Sequence, residues 1–164
     1  SNATTYENTG GGSPSTTINT SVVLTIKALD ESNNPIPTAQ CSIFKASDST
    51  QLMNEDTRDV SVPFTVGTRY IITFVGTTDF TLIGASSNTV GVSFTATGAG
   101  SGTGTASDGI AVESYNYPGS TVAINVRIRK STPGAARYQP YTTTGTITGS
   151  GYTLTAVMLA DTVA

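Results

Sequence analysis

The sequence has no histidine, no tryptophan, a single cysteine and little charge of either sign. Each shortage narrows what the chain can do. Without His it lacks the commonest general base and the commonest transition-metal ligand, and composition alone excludes Ser-His-Asp and Cys-His catalysis. Cys41 has no second cysteine to pair with, so no disulfide forms within the chain and the redox compartment goes unreported. Charged residues make up 12% of the chain, about half the usual share. A net charge of −3 and a pI near 4.7 argue against nucleic acid as the main partner, because phosphate contacts need an excess of Lys and Arg on one surface. No apolar run reaches the roughly 18 residues of a membrane span, and no signal peptide is visible. Ser1-Asn2-Ala3 reads as a cloning remnant, which leaves room for a trimmed native leader.

What is present is Thr, Ser, Gly and Ala. Thr is β-branched and suits the exposed face of a pleated strand, which it covers with hydroxyls rather than charges. The 164 residues suffice for one domain, or for one small domain carrying an insertion. Residues 1–18 are Thr, Ser, Gly and Asn with one aromatic, Tyr6, too little apolar surface to offset ordering, so they read as a flexible linker. From Ser21 the pattern alternates: Val22, Leu24, Ile26 and Ala28 face inward. Ala39, Cys41 and Ile43 repeat the pattern, with Gln40 and Ser42 outward, and a short strand follows at Gln51–Asn54. Later come strands at Ile110–Tyr117, Thr121–Arg129, Tyr138–Ile147 and Tyr152–Leu159. The second of these is the cleanest, with Val122, Ile124, Val126 and Ile128 inward. Pro118-Gly119, Pro133-Gly134 and Gly149-Ser150-Gly151 mark turns. The expected fold is all-β, an antiparallel sandwich built from residues 19–57 and 107–164.

Residues 58–106 have a different character. Strands are expected at Arg69–Val75 and around Val92–Ala96, and Asp79 is placed to cap one helical turn that buries Phe80 and Ile83. The segment ends in a glycine-rich run, Gly98–Gly104. When 58–106 is set aside, the flanking text runs "NNPIPTAQCSIF", "QLMNEDT", "SDGIAVESYNY" and "STVAINVRIRK". That order resembles the carboxypeptidase-regulatory and transthyretin-like sandwiches, in which a Pro-Ile-x-x-Ala turn follows the first strand and a Thr-x-x-x-Gly turn precedes the fourth. The resemblance implies an Ig-like or transthyretin-like framework and no particular activity. The inserted text, with Gly76-Thr77-Thr78-Asp79-Phe80, Ile83-Gly84-Ala85, Phe94-Thr95-Ala96 and Gly102-Thr103-Gly104-Thr105, resembles a module that recurs in virion proteins of tailed bacteriophages. So does the stretch Arg127-Ile128-Arg129-Lys130-Ser131 followed by Thr144-Gly145-Thr146-Ile147. This implies a non-catalytic tail, neck, fibre or head-associated component, located in the phage particle and acting through contacts with other virion proteins or with itself. A secreted or surface-attached Ig-like module that binds a host surface or carbohydrate is the alternative.

Candidate sites follow from residue type. The Gly98–Gly104 run resembles a phosphate loop only superficially: no helix or lysine follows, and tight turning or close backbone approach to a neighbouring chain explains the glycines better. Cys41 belongs to an inward face and reads as core. Glu55, Asp56 and Asp59 offer oxygen ligands, but their spacing matches no calcium loop, and solvated loop charge is the simpler reading. No cofactor or metal is expected, and the chain is not expected to be an enzyme. Arg127 and Arg129 share the outward face of one strand; with Lys130 and Arg137 they form a basic patch suited to an acidic neighbouring subunit, lipopolysaccharide or nucleic acid, unless they pair across strands with Glu113. Tyr115, Tyr117, Tyr138, Tyr141 and Tyr152 concentrate aromatic surface in the C-terminal half, for packing or for a subunit interface, with sugar stacking the lesser use. Candidate interface residues are therefore Tyr115, Tyr117, Arg127, Arg129, Tyr138 and Tyr141, together with Phe80 of the insertion.

Overall fold

The computed structural model describes residues 20–131 and 135–162; the expected linker at 1–18 and the Pro133-Gly134 break lie outside them. Eleven strands and one 3₁₀ turn follow in order: β1 (Thr20–Leu29), β2 (Gln40–Lys45), β3 (Gln51–Asp56), β4 (Asp59–Ser61), β5 (Arg69–Phe74), the turn Phe80–Ile83, β6 (Ser93–Thr95), β7 (Thr105–Ser107), β8 (Ile110–Tyr117), β9 (Val122–Lys130), β10 (Tyr138–Ile147) and β11 (Tyr152–Val157). The fold is all-β. No helix among the described residues is long and apolar enough to cross a membrane.

Two sheets enclose the main core, β11-β1-β8 and β10-β9-β2-β3. The alternation that defines their strands puts Leu24 and Ile26 of β1 against Ile43 of β2 and Ile124, Val126 and Ile128 of β9 in one buried cluster. Each such side chain contributes about 1.5–3 kcal/mol by leaving water. Within the three-stranded sheet β1 runs antiparallel to β8 but parallel to β11, with Leu24 opposite Tyr152 and Leu29 opposite Val157. This ladder departs from the antiparallel rule that the other ladders follow. β11 follows β10 of the facing sheet through the tight turn Thr148–Gly151, beyond which the chain leaves β10 and joins the other sheet beside β1.

The third sheet, β4-β7-β5-β6, belongs to residues 59–107 and covers a second core of Phe64, Tyr70, Ile72, Phe80, Ile83 and Phe94. Four of these are aromatic, and their rings pack in tilted or edge-on pairs, with Phe80 and Phe94 at 5.6 Å between centroids and 70° between planes. Asp79 caps the 3₁₀ turn through the Thr81 N–H, as its position in the sequence implies, and Phe80 and Ile83 are buried. The strands β4 and β7 are three residues each, Asp-Val-Ser and Thr-Ala-Ser, too short and too polar to announce themselves by alternation.

The chain leaves and re-enters the sandwich at one point. Asp59 pairs with Ser107 in the β4–β7 ladder. The Thr57 hydroxyl, buried, accepts from the Ala39 N–H at 2.8 Å and donates to the Ile36 carbonyl at 2.6 Å. The Arg58 N–H donates to the Ile110 carbonyl, and its guanidinium meets the buried Asp108 carboxylate at 3.1 Å. Gly109 follows at φ +72°, where a Cβ would stand 2.6 Å from the Ala28 carbonyl oxygen, so no larger residue fits beside β1. Arg69 of β5 ties the two parts again by donating to Asn34 Oδ1 from Nε at 3.0 Å and from Nη2 at 2.6 Å.

Candidate binding face on the four-stranded sheet

The outward residues of a strand with period two become a surface only when register lines them up with their neighbours. In the β10-β9-β2-β3 sheet, Arg129 lies opposite Gln40, Arg127 opposite Ser42 and Asn125 opposite Phe44. On the other side of β2, Gln40 faces Asp56 and Ser42 faces Asn54, where the Ser42 hydroxyl donates to Asn54 Oδ1 at 3.1 Å. On β10, Thr142 and Thr144 continue the rows of Arg127 and Asn125. Two open grooves cross this face. One, of about 710 Å³, is lined by Phe44, Asn125, Arg127, Pro140, Thr142 and Thr144 among others. The other, of about 270 Å³, is lined by Gln40, Ser42, Phe44, Gln51, Asn54, Arg127 and Arg129. Phe44 and Arg127 belong to both.

Arg127 and Arg129 therefore stand on the outer face of their strand. The expected pairing with Glu113 does not occur: Glu113 lies on β8 of the other sheet, opposite Leu24, and its carboxylate accepts from the Ser114 N–H. Among the described residues the ion pairs are Lys45–Asp48 at 3.9 Å and Arg58–Asp108 at 3.1 Å, so neither arginine of the face has a carboxylate partner there. Lys130 does not join the patch. It follows the even-numbered, inward positions of β9 and is buried, and its ammonium donates to the Thr38 hydroxyl. Burial pushes its pKa below the usual lysine value. Arg137 is exposed, just ahead of β10.

The tyrosines are committed inward. Tyr115, Tyr117, Tyr138, Tyr141 and Tyr152 are all half-buried and pack against the main core. Burial raises the phenol pKa of Tyr138 and Tyr152. Phe80, expected as a contact of the insertion, is fully buried at 0% exposure and is corrected to a core residue. The large apolar side chains that the insertion does expose are Val66, Phe74, Leu82 and Val90.

The glycine-rich run packs against its own chain. At Gly102, φ +107°, a Cβ would lie 2.7 Å from the Thr78 hydroxyl and 2.8 Å from the Thr77 carbonyl carbon. The Gly104 N–H donates to the Thr78 hydroxyl at 2.8 Å. These glycines thus let the run close over the second core.

Cys41 is wholly buried, and burial pushes its thiol up to about 12. Among the described residues no group of three or more Cys, Asp or Glu side chains is placed to hold a metal ion. A third hollow, of about 260 Å³, opens between the two cores and is bordered by Asp30, Pro35, Ile71, Ser93, Lys130 and Tyr138 among others. The Asp30 carboxylate there is already engaged by the Ser32 and Asn34 N–H groups and the Asn34 side-chain amide.

The sequence named Arg127 and Arg129 but not Gln40, Phe44, Asn54 or Asn125. These come from three strands, and only the register recorded in the ladders brings them beside the arginines. Compared with family models, curated proteins and solved structures, the chain gives no match.

Proposed function

We propose that the chain is a non-catalytic assembly component of a bacteriophage virion and acts through protein–protein contacts with itself and with other virion proteins. The observation that carries this reading is the outer edge of β10. Among the described residues β10 is the terminal strand of its sheet, and beyond the contacts of Tyr138 and Gln139 with Ala160 and Leu159 it pairs there with β9 alone. Its ten residues, YQPYTTTGTI, carry no charge. Isolated proteins usually protect such an edge with lysine, a bulge or a covering loop, because its unpaired N–H and C=O groups recruit another strand. Here Pro140 and a register shift between Tyr138 and Tyr141 guard the first turns only, and Thr142–Thr146 stay open. A low overall charge favours lateral packing of the same kind. The framework is read as transthyretin-like, on the Pro35-Ile36 turn between β1 and β2 and the Gly109 turn before β8.

Sedimentation velocity over a concentration series tests the reading. Self-association is expected, weakened tenfold or more by Thr144→Lys and Thr146→Lys, which would set like charges against each other across a two-fold axis. A chain that stays monomeric at about 0.1 mM, or one whose association ignores both lysines, overturns the edge as the contact. Detection of the chain by mass spectrometry in purified particles of the phage that encodes it tests the virion setting separately.

A further inference from the structure

We infer that the outer face of the β10-β9-β2-β3 sheet is a binding site for an anionic carbohydrate chain, one bearing carboxylate or phosphate groups on a polyhydroxylated backbone. The inference concerns side chains on the face of the sheet, Thr142 and Thr144 of β10 among them, and not the backbone groups along the β10 edge.

Charge comes first. Arg127 and Arg129 project from this face about 7 Å apart by strand rise, and neither meets a carboxylate of the chain among the described residues. Arginine in that state keeps its planar set of donors for an oxyanion. The acid of this face, Asp56, lies opposite Gln40, which itself lies between it and Arg129 in the ladder. Arg129 therefore stands at the positive end of a row that ends at Asp56, while the row of Arg127 runs through Ser42 to Asn54 and carries no acid.

The surroundings select the kind of anion. Gln40, Asn54 and Asn125 supply amides beside the guanidinium groups, with Asn54 held by the buried Ser42 hydroxyl, and Thr142 and Thr144 supply hydroxyls. Such groups both donate and accept, which matches sugar hydroxyls. The half-buried Phe44 ring, shared by both grooves, provides one apolar platform of the size of a pyranose face. A nucleic acid, charged at every residue, would want more cations and more stacking rings than this face supplies. A peptide strand would seek the sheet edge for its backbone hydrogen bonds and apolar pockets for its side chains, neither of which this face offers. A sparsely charged acidic glycan fits the combination of two cations, many neutral polar groups and one ring.

The test is direct titration of the full chain with four hexasaccharide-sized probes: oligogalacturonate for carboxylate, dephosphorylated and phosphorylated lipopolysaccharide core for phosphate, and maltohexaose as the neutral control. At least one anionic probe is expected to bind, tenfold or more above maltohexaose, and to weaken as salt rises. Arg127→Gln and Arg129→Gln are each expected to lower that affinity about tenfold, in line with loss of one charge-assisted hydrogen-bonding group. Both residues project from the outer face, so their melting temperatures serve as the folding control. Failure of every anionic probe at millimolar concentration overturns the proposal. So does equal binding of maltohexaose, or binding that both variants leave unchanged. Equal binding of a poly-glutamate peptide overturns the carbohydrate assignment in favour of an acidic protein surface.

Discussion

Thr77 and Thr103 cap each other across 26 residues of chain: the Thr77 N–H donates to the Thr103 hydroxyl at 3.1 Å, and the Thr103 N–H donates to the Thr77 hydroxyl at 3.2 Å. The two segments that carry these residues, Gly76-Thr77-Thr78 and Gly102-Thr103-Gly104, both belong to the text of the insertion that resembles a recurring module. Their hydroxyls and glycines are used up in holding one another. Glycine lets the backbones close to hydrogen-bonding distance, and threonine satisfies the amides that no ladder reaches.

Gly102→Ala should therefore destabilise the inserted unit. The added methyl meets the Thr78 hydroxyl at 2.7 Å and backbone at 2.8 Å, on a residue at φ +107°. Left-handed strain plus overpacking amounts to about 2–4 kcal/mol. Amide hydrogen exchange locates the effect: Phe94 and Ala106 should lose protection while Ile26 and Ile128 keep theirs. Uniform loss across both cores would show that the two parts unfold together.

Much of the fold could be read from the chain because alternation reports burial on one face. Val22, Leu24, Ile26 and Ala28, and again Val122, Ile124, Val126 and Ile128, are inward as their spacing implies, and Asp79 caps the turn that its side chain suits. What could not be read is whatever depends on which strands are neighbours. The parallel β1–β11 ladder, the three-residue strands β4 and β7, and the row Arg129-Gln40-Asp56 all arise from long-range pairing. Lys130 shows the same limit: residue type suggests the surface, but strand phase puts it with Val126 and Ile128. Aromatic character says that a side chain will bury area but not against what: Phe80 enters the second core, and the five tyrosines lie half-buried against the main one.

Removal of residues 59–107, with Arg58 joined to Asp108 through two glycines, should leave a folded sandwich. Asp59 and Ser107 are ladder partners, so the cut ends are already side by side. The clamp that remains, Thr57 to Ala39 and Ile36, and Arg58 to Ile110, lies within the framework. The Ser107 hydroxyl, which joins Arg58 and Gly109, is lost and should reduce stability by about 1 kcal/mol. A cooperative melt with strand-type circular dichroism is the expected outcome, and a non-cooperative melt would show that the framework depends on the second core.

Adjacent residues of β9 should behave in opposite ways. Ile128 is at 0% exposure in the main core, and Ile128→Ala should lower stability by about 2–5 kcal/mol in denaturant titration. Arg129, one position on, faces outward without an ion pair among the described residues, and Arg129→Gln should stay within about 0.5 kcal/mol. Similar losses at both sites would mean that the outer face is covered.

Cys41 gives a prediction in pH. Burial, assisted by the negative charge of Asp56, raises its thiol from 9.0 to about 12, and its Sγ–H donates to the Ala39 carbonyl at 3.5 Å. At pH 8 the native thiolate fraction is on the order of 10⁻⁴, so an aromatic disulfide reagent should react only as fast as the sandwich opens. The sign of the stability effect follows from proton counting. Between about 9 and 12 the unfolded thiol has lost its proton while the folded one keeps it, so the unfolded state binds fewer protons and stability falls as pH rises through that window. Below it the contribution is fully present. Lys130 acts in the opposite direction, because its lowered value means that the folded state sheds a proton first and gains stability as pH climbs toward 10.5. Tyr138 and Tyr152, both raised, act in the same direction as the thiol above 10.0. Subtraction separates these groups: urea titrations of the wild type and of Cys41→Ala at pH 8 and at pH 11 share the lysine and tyrosine effects and differ in the thiol. The wild type should lose more stability than the alanine variant between the two pH values, and equal losses would place the Cys41 thiol in contact with water.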